Sequence, residues 1–343
     1  MKKLLLFLLT LLTVHASATV ITVSNNPDSP AEYDDLQTAL NNIDPGDTII
    51  LSGSPTSYGN VTANRTLVLL GPGWNPQSGY KAQLGTLTIN GASHNSVIRG
   101  IQIRSLTSGG SYDNVVITDC YFDYVYTDIT LSDHNNWQIY GNRFEGDISL
   151  NADSDNTLIA NNVFSKNSTR GTVQYANNST LFLNNVIIDP YTSGLFSNCS
   201  GMFLANNIFI MTHSTKYSNP NNGCTGCSFN NNITYSTYSI DIPDIPGQSD
   251  FGGNNWNDAN PRFVNFPNDA TKFSSNHDYH LAGDSPGKAS GTDGTDTGIY
   301  GRGYEFNIYG HTDLPRIYLM NIENPVVLVD SSLNIVVKST TTK

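Results

Sequence analysis

Residues 138–144, Gln-Ile-Tyr-Gly-Asn-Arg-Phe, and residues 158–164, Leu-Ile-Ala-Asn-Asn-Val-Phe, are two copies of one pattern. An apolar stretch leads into a small polar pair, usually Asn-Asn, and then into an aromatic or branched residue. The pattern returns at 181–187 (LFLNNVI), 203–209 (FLANNIF) and 228–234 (SFNNNIT). With the second member of each pair as anchor, the series is Gly100, Cys120, Asn142, Asn162, Asn185, Asn207, Asn232 and Asn255, spaced 20 to 25 residues apart. A fixed period of this size is the signature of a stacked-repeat fold.

The columns of this alignment carry physical content. Three residues before the anchor stand Val97, Ile117, Ile139, Ile159, Phe182, Leu204 and Phe229, and two after it stand Phe122, Phe144, Phe164, Ile187 and Phe209. Such columns are core stacks, because each coil of a solenoid buries its inner side chains only against its neighbours. The Asn column marks a bend between two short strands. Asn tolerates the left-handed backbone that a bend demands, and amides stacked about 4.8 Å apart can hydrogen-bond from coil to coil. A further strand register lies 11 to 14 residues before the anchors, in TDITLS (127–132), GDISLN (146–151), GTVQYA (171–176) and SGLFSN (193–198), with Ile129, Ile148, Val173 and Leu195 inward. Three short strands per coil, joined by turns, predict an all-β parallel β-helix. The leucine-rich repeat shares the period but needs Leu-rich positions and a helical segment that are not found here.

Upstream, 31–43 reads as a short amphipathic helix with Leu36, Ala39, Leu40 and Ile43 on one face, placed to plug the open end of the apolar column. Residues 278–301 read as irregular closing turns, and 314–337 as an extended capping tail. The expected division is a leader at 1–18, a β-helix domain at 19–310 including its N-terminal cap, and a tail at 311–343 packing on or capping the helix.

Lys2 and Lys3 precede the apolar run Leu4–Val14, and Ala16-Ser17-Ala18 follows. This is the pattern of a cleaved export signal, too short to span a bilayer, and it predicts an extracellular or cell-surface protein with no membrane span. The 343 residues include 17 Lys and Arg against 29 Asp and Glu, a formal charge of −12. Such an acidic chain excludes nucleic-acid binding through a cationic face.

Several groups are candidates for chemistry. Asp128 and Asp147 each precede an inward Ile on adjacent coils, so the period stacks them on the outer face. Stacked carboxylates repel, which invites a bound calcium ion or a raised pKa; a simple solvated column is the alternative. A glycosidase uses such a pair as acid and nucleophile, and Arg170, with Lys166, sits in the loop where it would neutralise a uronate. Tyr124, Tyr126 and Tyr175 lie beside these strands as candidate glycan contacts, since a ring stacks on a pyranose face. Cys199 and Cys224 both fall eight residues before their anchors, which predicts neighbouring positions and a Cys199–Cys224 disulfide, with Cys224–Cys227 as the other pairing. On the second sheet, Val116, Leu158, Leu181 and Phe203 form an outward apolar stripe that predicts a cover, either the 314–337 tail or a protein partner. No charged residue falls on that face in this alignment, so no catalytic groove is expected there. The pair His277 and His280, and the Gly/Asp loop holding Asp293 and Asp296, read as structural turns.

The opening helix followed by DPGDTIIL (44–51), the coils with their Asn ladder, and the closing DSPGKASGTDGTDTGIYG (284–301) together resemble the right-handed parallel β-helix proteins of the pectate-lyase-like superfamily. They are similar in particular to its secreted repeat-containing members common in Bacteroidetes. The resemblance implies that the Asn bend separates the second and third sheets. It places Asp128 and Asp147 on the first sheet, where the family's enzymes hold polysaccharide. No lyase or hydrolase motif accompanies it. Two functions are therefore expected: a β-helix presenting an elongated face to glycan or protein without catalysis and without a required cofactor, or a polysaccharide lyase or glycoside hydrolase around Asp128 and Asp147.

Overall fold

The computed structural model describes residues 18–75, 79–151, 154–165, 172–189, 194–213, 219–238, 241–312, 314, 316–322, 332 and 335–340. The chain winds as a parallel β-helix. Eleven short strands, from Val20–Val23 to Phe251–Gly253, pair in sequence order and in parallel to form the second sheet. The other two sheets are arms of one forked ladder. The long strand Gln102–Ser108 pairs at its start with Tyr121–Phe122 and at its end with Thr127–Thr130. From there the third sheet continues through Arg143–Phe144 to Ile233–Ser236, and the first through Asp147–Ser149 to Phe196–Ser197. The fork opens at residues 123–126, where a turn first interrupts the strand.

The core is one continuous cylinder from Ile21 to Ile245. Ile117, Ile139, Ile159, Phe182, Leu204 and Phe229 are buried in register, and Phe122, Phe144 and Phe164 stack with ring centroids 4.9 Å apart. Each such side chain contributes roughly 1.5–3 kcal/mol by leaving water. A helix, Leu36–Asn42, joins the same cluster through Leu36, Ala39 and Leu40, its N-terminus capped by Asp35, whose carboxylate accepts from the Thr38 N–H at 2.7 Å.

The first repeat is displaced by one residue from the sequence alignment. Val97 pairs with Val116 and Ile98 with Ile117, so Ile98, not Val97, enters the core and Ile101, not Gly100, is equivalent to Cys120. The reason is visible in the bend. The residue with positive φ is the one before the anchor: Gly100, Asp119, Gly141, Asn161, Asn184, Asn206, Asn231 and Asn254. The first Asn of each pair thus takes the left-handed backbone, and the second builds the ladder. In that ladder the Asn162 backbone N–H and side-chain amide both donate to Asn185 Oδ1, at 3.0 and 3.1 Å, and the amide also donates to Ile139 O at 2.8 Å. The same contacts run from Asn142 to Asn255.

After the last coil the chain turns back along the outside. Residues 263–312 form a strap over the third sheet, where Val163, Val186, Ile188, Ile208, Ile210 and Ile233 face outward and are buried against Phe273, Tyr279, Leu281, Ile299 and Phe306. Asn161, Asn184, Asn206 and Asn231 hold its edge through side-chain bonds to Ile299 O, Asp296 O, Thr292 Oγ1 and Ser290 O. Near the end of the strap Thr312 Oγ1 donates to Gly71 O at 2.7 Å. On the second sheet, among the described residues, the strap reaches only the first residue of the apolar stripe. Val116 shares a cavity with residues 304–309 and His311, Leu158 and Phe203 are half-buried, and Leu181 is exposed. In the tail, Arg316–Ile322 and Ile335–Thr340 pair with each other as an antiparallel hairpin, and 323–331 lies outside the described residues.

Candidate functional site

The acidic pair is close together but is not on the surface. Asp147 pairs with Thr127, and a bulge between Thr127 and Ile129 makes Asp128 the extra residue. Both side chains are fully buried, which corrects the outward, solvated placement expected from the repeat. Asp128 is a backbone clamp: Oδ1 accepts from Tyr124 N at 3.1 Å and Oδ2 from Gly146 N at 2.7 Å. Burial pushes its pKa well above the ordinary carboxylate value, against the two N–H donors and with help from the charge of Asp147. Asp147 accepts from the Gln174 amide on the next coil. Neither carboxylate meets solvent, so a substrate has no direct approach to them. Among the described residues no cluster of three or more His, Cys, Asp or Glu side chains is placed to hold a metal ion. Arg170 and Lys166 lie outside the described residues, as do residues 1–17 of the leader.

Two of the three tyrosines are brought together. Tyr124 and Tyr126 occupy the turn that opens the fork, their rings 5.4 Å apart and nearly perpendicular, with Tyr126 52% exposed. Tyr175 is also exposed, but it follows the strand Val173–Gln174 and so sits at the opposite end of the first sheet. The Arg104 guanidinium lies 4.9 Å from the centre of the Tyr124 ring. Beside it, Gln102 donates to Asp123, and a groove of about 220 Å³ runs between Gln83, Gln102, Arg104 and Asp123. One coil on, Arg143 packs over Tyr121 at 4.2 Å and pairs with Glu145 at 3.0 Å. The outward face of the third sheet is thus polar and charged in its early coils and apolar where the strap covers it. Register alone predicts this change once the columns Gln102–Tyr121–Arg143–Val163 are written out, a column the sequence reading did not follow.

The second sheet also differs from expectation. The one-residue displacement turns Arg99 outward, and the outer face carries a charged pair after all: Arg99 Nε to Asp119 Oδ2 is 2.7 Å, with Asp119 nearly buried. Tyr304 of the strap donates to Asp119 Oδ1 at 3.2 Å. Burial raises the Asp119 pKa, while Arg99 and Tyr304 oppose the shift.

The cysteines occupy the expected places without the expected bond. Cys199 and Cys224 are register partners, yet all four cysteines are free thiols. Parallel pairing points both side chains the same way, which is poor geometry for a bridge; Cys224 interacts with the Cys227 thiol instead, and that contact together with burial raises its pKa. His277 and His280 go to separate partners, Tyr279 and Asp278. Asp293 closes a turn onto Thr295, and Asp296 pairs with Lys288.

No family model matches this sequence, and no curated protein does. Among solved structures, eight chains match. One is the crystal structure of pectate lyase Pel9A, 13% identical, with 84% of this chain and 98% of that chain covered and a TM-score of 0.43. A likeness at that level carries nothing about activity. The class is set by the coordinates themselves: the protein is a parallel β-helix with a strap folded back along its side.

Proposed function

We propose that this protein is a non-catalytic β-helix that binds glycan on the outer surface around Tyr124, Tyr126 and Arg104, at the point where the third and first sheets part. The observation that carries the reading is the exposed Tyr126 ring, set against the half-buried Tyr124, beside a polar groove. Tyrosine rings offer flat apolar faces for a sugar, while Gln102, Asp123 and Arg104 supply donors and acceptors for hydroxyl groups at its edge. The burial of Asp128 and Asp147 favours a binder over the lyase or hydrolase reading, since acid–base catalysis needs a group within hydrogen-bond reach of the substrate. The backbone bonds of Asp128 and the Gln174 contact of Asp147 favour a structural role for the pair over calcium binding.

The acidic charge of the chain favours neutral glycans over polyuronates. An extracellular location rests on the leader at 1–18. No helix among the described residues is long and apolar enough to cross a membrane. Affinity electrophoresis of the mature chain in gels containing neutral or acidic polysaccharides tests the reading. Retardation by a neutral polysaccharide that Tyr126→Ala removes supports it; migration unaffected by every polysaccharide refutes it.

A further inference from the structure

The strap and the second sheet line a half-open cavity of about 720 Å³, within the usual range of small-molecule sites. We propose that this cavity is a second, separate binding site for a single uncharged sugar residue.

Its chemistry is specific. The sheet contributes Arg99, Asp119 and Tyr140, and the strap contributes Tyr304, Glu305 and Phe306. Arg99 is the more exposed member of its ion pair, 29% against 5% for Asp119, so a ligand meets a guanidinium whose charge is already balanced. Glu305 is exposed at the rim and supplies an acceptor. Among the described lining residues, the carboxylates of Asp119 and Glu305 outnumber the Arg99 guanidinium, with His311 the other basic side chain, and this balance disfavours a uronate or phosphate. Tyr140 and Tyr304 meet edge to face at 5.7 Å, and aromatic walls beside paired polar groups suit a pyranose, apolar on its faces and hydroxylated at its edge.

The cavity is built in advance. Tyr304 is fixed to Asp119 and Thr312 to Gly71, and the Asn75 N–H donates to Tyr309 O at 3.1 Å. The strap docks because two glycines make room for it. A Cβ on Gly141, at φ +69°, would overlap the Tyr304 hydroxyl, and one on Gly310, at φ +60°, would overlap the Trp74 ring. A preformed site loses little entropy on binding.

The test is calorimetric titration of the mature chain with methyl β-glucoside, methyl β-galactoside, methyl α-mannoside and, as the acidic probe, methyl α-galacturonoside. At least one neutral glycoside is expected to bind. Its affinity should fall about tenfold in Tyr140→Ala, fall severalfold in the surface variant Glu305→Gln, and stay unchanged in Tyr126→Ala. Three results would overturn the proposal: no neutral glycoside binds; Glu305→Gln and a folded Tyr140→Ala both bind like wild type; or the galacturonoside binds more tightly than the neutral probes. Loss in Tyr126→Ala alone would assign the binding to the Tyr124 surface and leave this cavity without a sugar. If Tyr140→Ala melts early, the Glu305→Gln titration decides.

Discussion

Asn185 Oδ1 receives two hydrogen bonds from Asn162, one from its backbone N–H at 3.0 Å and one from its side-chain amide at 3.1 Å. Both residues are fully buried. Each ladder Asn therefore satisfies a donor in the coil before it while its own amide satisfies a carbonyl and the next Asn. The bend between second and third sheets is closed coil after coil with no water required.

The ladder predicts that a buried second-position Asn matters more to stability than an exposed first-position Asn that makes no bond to the strap. Asn162→Ala strands the Asn142 amide and the Ile139 carbonyl, and should cost about 2–4 kcal/mol. Asn254→Gly keeps an exposed left-handed position at φ 57° and should change stability by less than about 0.5 kcal/mol. Urea unfolding followed by circular dichroism separates the two; equal losses would contradict the division of roles.

The stability of the protein should depend on His134. Its ring is buried, with Nδ1 2.7 Å from Ser154 Oγ and Nε2 3.3 Å from Thr157 Oγ1, and burial holds its pKa down at about 4 against 6.5 when unfolded. The unfolded chain then binds the proton more readily, so this contribution is complete above pH 6.5 and is lost as pH falls toward 4, up to about 3 kcal/mol. Melting temperature measured from pH 7 to 4 should decline in the wild type, with the decline reduced in His134→Gln. Parallel curves would remove His134 as the cause.

Asp128 links stability to the binding surface. Removing its carboxylate leaves the Tyr124 and Gly146 N–H groups unpaired, at about 1–3 kcal/mol each, and frees the turn that carries Tyr124 and Tyr126. Asp128→Ala should therefore lower the unfolding midpoint and weaken glycan retention together. Retained binding in a destabilised variant would show that the turn holds its shape without the clamp.

The β-helix was legible in the sequence because its core columns repeat every 20 to 25 residues and one apolar face must stack on the next. Phe122, Phe144 and Phe164 could be placed by counting. The misplacements have a common source. At Gly100 no Asn pair marks the phase, so the register slipped by one and hid Arg99. At Thr127–Ile129 a bulge, which leaves no mark in a period-2 pattern, drew Asp128 inward. The strap over the third sheet was unreadable for another reason. Residues 263–312 carry no repeat, and their partners Val163, Val186 and Ile208 look in sequence like any apolar strand.

The strap should be sensitive to a single methyl group. Gly141→Ala combines a disfavoured φ of +69° with overlap at Tyr304, and should cost about 1–3 kcal/mol. Limited proteolysis is expected to cut between 302 and 312 faster in this variant than in wild type, with the coils left intact. An unchanged cleavage pattern would mean that the strap is held elsewhere.

Incubating the mature chain with the polysaccharide that retards it most, while following both retention and product formation, confronts the account directly. Binding without new reducing ends or unsaturated products, abolished by Tyr124→Ala with Tyr126→Ala, is the predicted result. Turnover that disappears in Asp147→Asn while the double tyrosine variant still binds would contradict it, and would return the acidic pair to the centre of the molecule's chemistry.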